Sequence, residues 1–202
     1  KDIDIVAKGA GIELYQLIQK KQANASPLKI FKSDVTSMIK WEGITIEFVG
    51  ARKESYSRES RNPKIFSGTL EDDQKRRDFT INALAVSLNP KNIGELIDPF
   101  NGLQDLKNGV IRTPQDPSIT YSDDPLRMLR AIRFAAQLKF KIENRSLNAI
   151  KENVNRISII NSERIVDELN KILKTQIPSV GYLLLEQTGL LEKIIPELVN
   201  LK

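Results

Sequence analysis

The 202-residue sequence predicts an α+β protein, with strands gathered in its first half and helices in its second. Period-two alternation marks residues 1–6 and 44–52, whereas apolar residues recur at helical spacing from residue 126 onward. The chain is 40% hydrophobic, enough for a sizeable core, and no apolar run approaches the length needed to cross a bilayer. Cysteine and histidine are both absent. Their absence excludes disulfides, thiolate nucleophiles and Cys-ligated zinc, and removes the commonest general base. Carboxylates are left as the catalytic groups, and carboxylate oxygens favour Mg²⁺. A cysteine-free chain with no signal peptide is expected in the cytoplasm, without a membrane partner. The net charge of +5 is compatible with a polyanionic partner such as nucleic acid.

Taken in order, Lys1-Asp2-Ile3-Asp4-Ile5-Val6 reads as a strand with Ile3 and Ile5 on the core face and Asp2 and Asp4 on the other. Carboxylates two residues apart stand about 7 Å apart along a strand. Their oxygens can converge on a metal pair, although two aspartates in this pattern also make an ordinary solvated face. A strand at the first residue leads to the expectation that sequence precedes it. Residues 9–23 read as an amphipathic helix carried by Ile12, Leu14, Leu17 and Ile18, and residues 28–31 as a short strand, both scaffold. In residues 44–52, Ile44, Ile46 and Phe48 alternate with Thr45, Glu47 and Val49. Glu47 becomes a third acidic ligand if this strand neighbours the first, and is otherwise a solvent-facing residue on an outer strand. Residues 52–75, polar and charged with one proline and one glycine, read as a long mobile loop able to meet phosphates.

Residues 75–86 place Asp78 and Asn82 four apart, on one face if helical, with Arg76 and Arg77 at the N-terminal entrance. Cations and backbone N–H groups together there suit a triphosphate. Val110-Ile111-Arg112-Thr113 reads as the last strand of the first domain, and residues 113–117 as a turn-rich connector. Asp123-Asp124-Pro125 is a helix start, because proline's fixed φ suits the first turn and either aspartate can accept the orphan N–H groups there. Asp124 and Arg127 then share a face. An acceptor carboxylate beside a planar fork of donors has the chemistry to read a nucleobase edge; a helix cap followed by a surface ion pair is the plainer reading. The helix is apolar on most sides, as befits one buried between two parts of a protein. Residues 144–154 and 162–173 continue as helices, and residues 183–201 as a helix broken near Pro196.

In this order, the Asp-x-Asp strand, the RRDFTINALA run (residues 76–85), the IDPFNGLQDL run (97–106) and the helix opened by DDPLR (123–127) resemble the class II tRNA nucleotidyltransferase and bacterial poly(A) polymerase family. Each motif is weak alone, while their ordered combination across nearly the whole chain is specific. The resemblance implies a polymerase-β-like head with a mixed sheet (1–116), an all-helical neck carrying the base-recognition helix (117–176) and the start of a helical body (177–202). It implies that Asp2 and Asp4 hold two Mg²⁺ ions, with Glu47 as a further catalytic carboxylate. One ion would activate the 3′-hydroxyl of an RNA for in-line attack on the α-phosphate, and the other would stabilise the departing pyrophosphate. Arg76, Arg77, Asp78 and Asn82 are implied to hold the sugar and phosphates, and Arg130 joins this nucleotide-binding set. Asp124 and Arg127 match the family's amino-acid template for C and A. A carboxylate accepts from the exocyclic amine that cytosine and adenine share, whereas G and U present a carbonyl there. Where the family often has Glu-Asp, this chain has Asp123-Asp124, which keeps the reading pair. The SERIVDEL run (162–169) resembles a further helical motif that supports the base-reading helix.

The activity so implied is addition of CCA, or part of it, to tRNA 3′ ends from CTP and ATP. Poly(A) polymerase shares every motif, and A-only or CC-only addition is expected to differ within residues 52–75. A non-catalytic RNA- or nucleotide-binding descendant is a third alternative, against which the paired aspartates count. The family's Gly-Gly and Arg-Asp segment before Asp-x-Asp is absent, and the helical body stops short. A fragment is therefore expected, with its activity in isolation in question.

Overall fold

The computed structural model describes residues 2–9, 29–30, 36–41, 43–57 and 60–199, together with residues 16 and 20. The helix expected over residues 9–23 lies largely outside these. The chain divides into two compact units, one of residues 1–55 and 64–73 and one of residues 56–63 and 74–202.

In the first unit, β1 (Asp2–Ala7), β2 (Lys29–Ile30), β3 (Thr36–Trp41) and β4 (Ile44–Gly50) form a sheet in the order β1-β4-β3-β2. β1 runs parallel to β4, while β3 runs antiparallel to β4 and β2, so the sheet is mixed, as expected. Gly43, at φ 77°, takes the left-handed conformation that the β3–β4 turn demands. One sheet face buries Ile39, Ile46 and Phe48, with Ile5 and Ile44 packed against them.

Among the described residues, the stretch 52–75, expected as a long loop, is instead largely strand and helix. β5 (Arg52–Ser57) and β6 (Ser60–Ser67) pair as a two-stranded sheet, and α1 (Leu70–Lys75) follows. Along β5, half-buried Arg52, Glu54 and Tyr56 alternate with exposed Lys53, Ser55 and Ser57. The strand period is thus written in polar residues, where a search for apolar alternation finds nothing. Arg52 Nε donates to Glu54 Oε1 at 2.9 Å on the half-buried side. α1 opens with a reciprocal cap. Thr69 N and Oγ1 donate to Asp72 Oδ2 at 2.9 and 2.8 Å, and Asp72 N donates to Thr69 Oγ1 at 3.1 Å.

The second unit holds α2 (Gly102–Asn108), α3 (Pro117–Asp123), α4 (Leu126–Leu138), α5 (Asn144–Asn153), α6 (Ser162–Leu173), α7 (Pro178–Thr188), α8 (Leu190–Ile194) and α9 (Pro196–Val199). Its core is built on α4, whose Met128, Leu129, Ala131 and Ile132 are fully buried and which packs against α6 and α7. β7 (Ala85–Val86) and β8 (Leu96–Ile97) pair antiparallel. β9 (Val110–Ile111) is a strand, as expected, but it pairs in parallel with β10 (Lys141–Ile142) rather than with the first unit's sheet. Lys141 N donates to Gly109 O at 2.8 Å and Glu143 N to Ile111 O at 3.0 Å, so the partner strand comes from just beyond α4. α3 begins at Pro117, the last residue of the expected connector, and continues where no helix is expected. Asp116 caps it by accepting from Ser118 N at 2.9 Å, with Pro117 in the first turn. The terminal helical region breaks at Pro196, as expected, and also at Gly189, whose φ of 79° ends α7. Among the described residues no helix is long and apolar enough to cross a membrane.

Gly102 opens α2 with its N–H on Asp98 Oδ1 at 2.7 Å, and a β-carbon there would collide with the Thr80 carbonyl. Gly102→Ala is therefore expected to destabilise the second unit by about 3 kcal/mol, read as a lower urea midpoint with unchanged slope.

Candidate active site

In the first unit, the β1–β4 register sets Asp2 opposite Thr45 and Asp4 opposite Glu47. Directly paired residues project to the same side, so Asp2, Asp4, Thr45 and Glu47 occupy the face opposite Ile5, Ile46 and Phe48. Asp2 and Asp4 are exposed and Glu47 is half-buried. Glu47 therefore stands on a strand flanked by β1 and β3, not on an outer one, and beside the aspartate strand. Neighbouring strands lie about 4.8 Å apart, which brings these carboxylates within reach of shared cations. The donors are all hard oxygens, the set that suits Mg²⁺. Among the described residues no three acidic side chains are already gathered around one point. The fit to a metal is thus one of donor type and common face.

The second unit gathers most of the other sequence-predicted residues, although the 75–86 stretch is not a continuous helix, the condition under which spacing alone would align Asp78 with Asn82. α1 ends at Lys75, Arg77 N donates back to Gln74 O at 3.2 Å, Phe79 is extended at φ −134°, and only Thr80–Asn82 form a 3-10 turn. Tertiary contacts override the helical spacing. Phe79 is fully buried and meets Phe134 edge-on, with centroids 5.6 Å apart. Thr80 N donates to Arg112 O at 2.8 Å, and Thr80 Oγ1 to the buried Asp105 Oδ2 at 2.8 Å. Asp78 and Asn82 meet nevertheless: Asn82 Nδ2 and Phe79 N donate to Asp78 Oδ1 at 3.0 and 2.9 Å. Arg130 reaches Asp78 Oδ2 from Nε at 2.8 Å and from Nη2 at 2.6 Å.

Asp124 lies between α3 and α4 with an extended backbone. Its Oδ1 accepts from Leu126 N at 3.2 Å and its carbonyl from Arg127 N at 3.0 Å, the cap expected of it. Arg127 is only 8% exposed, which removes the surface ion pair as a reading. Its Nη2 donates to the Arg76 carbonyl at 2.8 Å. Its Nη1 is buried and has no hydrogen-bond partner among the described residues. A buried guanidinium N–H left unmet is costly, and a ligand's acceptor would relieve that cost. Burial pushes the Tyr121 phenol above its ordinary value, so it stays protonated in the field of Asp78, Glu143 and Arg127.

Sequence reasoning passed over Arg133 and Glu168. The available signal was the three-residue spacing of Arg127, Arg130 and Arg133 along one helix. The Arg133 guanidinium lies 4.4 Å from the Phe134 ring centroid, and Arg130 lies 5.5 Å from the same ring. Arg133 Nε stands 3.1 Å from Glu168 Oε2 on α6, a contact of charges outside hydrogen-bond alignment, and Glu168 Oε1 accepts from Lys171 Nζ at 3.0 Å. Burial pulls the Arg133 guanidinium below its ordinary value, opposed by the Glu168 carboxylate.

A mixed sheet with carboxylates on one face, and a separate turn and helix presenting arginines, are features of a nucleotidyltransferase. The poly A polymerase head domain matches residues 1–112, and the probable RNA and SrmB-binding site of polymerase A matches residues 139–201. The chain is 41% identical over 155 residues to an A-adding tRNA nucleotidyltransferase of Aquifex aeolicus, covering 76% of this chain and 18% of that one. It is 42% identical over 139 residues to a CCA-adding enzyme of Lactobacillus helveticus, covering 68% of this chain and 34% of that one. It also resembles a solved tRNA nucleotidyltransferase complexed with a primer tRNA and an incoming ATP analogue, at 33% identity and a TM-score of 0.79, over 96% of this chain and 54% of that one. The chain belongs to the class II CCA-adding and poly(A) polymerase family of nucleotidyltransferases. It spans well under two thirds of the length of these relatives.

Glu168→Gln leaves the Arg133 charge buried without its counter-ion and is expected to cost about 3 kcal/mol in urea unfolding. The double variant Arg133→Met, Glu168→Leu, which removes both charges, is expected to regain most of that loss.

Proposed function

We propose that this chain carries the catalytic and nucleotide-selecting parts of a tRNA nucleotidyltransferase that adds CCA, or part of it, to tRNA 3′ ends from CTP and ATP, releasing pyrophosphate. The observation that carries this reading is the register that sets Asp4 opposite Glu47 with Asp2 on the same face. A face that carries several carboxylates repels an RNA chain unless cations intervene. Asp2 and Asp4, with Glu47 beside them, would hold Mg²⁺, which when bound supplies charge neutralisation at the phosphates. In this reading residues 1–116 form the head, 117–176 the neck and 177–202 the start of a body, in a cytoplasmic enzyme.

The chain's own residues account for the choice of base. The Asp124 carboxylate accepts from the exocyclic amine of cytosine or adenine, while the unmet Nη1 of Arg127 donates to an acceptor on the same edge. Guanine and uracil turn a carbonyl toward that carboxylate and are rejected. Arg76 and Arg77 offer cationic side chains to the triphosphate. The A-adding and the CCA-adding relative are almost equally identical to this chain, at 41% and 42%, so identity does not separate addition of the whole triplet from addition of its last nucleotide.

The test is to incubate the intact protein with Mg²⁺, CTP and ATP on tRNA lacking its CCA end, on tRNA ending in CC and on an oligo(A) primer, then sequence the products. CCA added to the first substrate, or a single A added to the second alone, supports the reading. Long A tails make the protein a poly(A) polymerase, and no incorporation on any primer overturns enzymatic activity. Asp4→Asn is expected to lower incorporation by about a thousandfold, and chelation of Mg²⁺ to abolish it.

A further inference from the structure

Three contacts tie the 76–82 turn to α4, each made by side chains on one stripe of that helix. Arg127 Nη2 holds the Arg76 carbonyl at 2.8 Å, Arg130 holds Asp78 Oδ2 at 2.8 and 2.6 Å, and Phe134 meets Phe79 edge-on. Positions 127, 130 and 134 recur at helical three-and-four spacing, so they face the turn together. We infer that Arg130 is a positioning residue: by fixing Asp78 it sets the aim of Arg127, and with it the discrimination between bases. This inference rests on the nucleotidyl-transfer reading above.

Arg127 has two terminal nitrogens, and the one bound to the Arg76 carbonyl determines where the other points. The position of that carbonyl depends on the turn, and the turn is pinned two residues later at Asp78. Both oxygens of Asp78 are committed, Oδ1 to Phe79 N and Asn82 Nδ2, and Oδ2 to Arg130. The Asp78 side chain is 10% exposed, whereas that of Arg130 is 33% exposed. Removal of the guanidinium therefore strands a nearly buried carboxylate, which the turn can relieve only by moving toward water. Such a movement carries the Arg76 carbonyl with it and releases Nη2 of Arg127. The purine or pyrimidine edge would then meet a guanidinium free to rotate, and the correct bases would lose their advantage over the incorrect ones.

The experiment measures equilibrium binding of CTP, ATP, GTP and UTP, with Mg²⁺, to the intact protein and its variants, alongside urea unfolding of each. Arg130→Ala is expected to reduce the preference for CTP and ATP over GTP and UTP by roughly tenfold, the worth of one charged hydrogen bond. Arg130→Lys, which keeps one donor, is expected to restore part of that preference. Asp78→Asn combined with Arg130→Ala is expected to be no worse than Arg130→Ala alone, because the two residues act through one contact. An equal loss for all four nucleotides, with the preference intact, overturns the inference and marks Arg130 as structural or as a direct phosphate ligand. Additive losses in the double variant overturn it as well. If Arg130→Ala does not fold, Arg130→Lys and Asp78→Asn are subject to the same criteria. Wild-type protein that binds no triphosphate, or binds all four alike, rejects the underlying reading itself, a result distinct from a failure of the variants.

Discussion

The parallel pairing of β1 with β4 is the constraint on which the first unit's chemistry depends. Side chains alternate across a strand, so a slip of one residue would turn Glu47 toward the core and Ile46 toward the aspartates. That slip is opposed by apolar packing on the other face, where Ile39, Ile46 and Phe48 are buried together and Ile5 lies against them. The hydrophobic face thus holds the acidic face in register. No acidic residue has to bear the cost of the arrangement, because burial of its neighbours dictates where it stands.

The second unit solves a different problem, that of placing arginines inside a protein. Arg127, Arg130 and Arg133 follow one another along α4, and each is given a different partner: a backbone carbonyl, the Asp78 carboxylate and the Glu168 carboxylate. Phe134 lies under two of them. A guanidinium is weakly hydrated and presents donors in a fixed plane, so it can be buried and aimed in a way that a lysine cannot. Of the three, Arg127 alone keeps a buried terminal N–H without a partner among the described residues. That N–H is the donor available to a ligand.

Local features of this architecture were legible in the sequence. The alternation of residues 1–6 separated the aspartates from Ile5, Asp124 beside Pro125 marked the start of α4, and the apolar content of that helix matched its burial. Features set by distant residues were not legible locally. Nothing within residues 44–50 says that their neighbour is β1, because strand pairing is decided by packing across the sheet. The turn at residues 76–82 carries helical spacing and yet is held in another conformation by Phe134, Asp105 and Arg112. β5 was missed because its period is polar, and α3 because its cap, Asp116, sits in a proline-rich stretch that reads as a connector. The burial of Arg127 follows from an entire helix being enclosed, which no single residue records.

The most direct test of the central claim is a titration of the protein with Mn²⁺, a paramagnetic substitute for Mg²⁺, followed by amide NMR. The account predicts that signals around Asp2, Asp4 and Glu47 broaden first, at Mn²⁺ well below one equivalent, and that Asp4→Asn abolishes this broadening. Broadening that begins at the acidic first turn of α1, at Glu71, Asp72 and Asp73, or that spreads evenly over the chain, would contradict it.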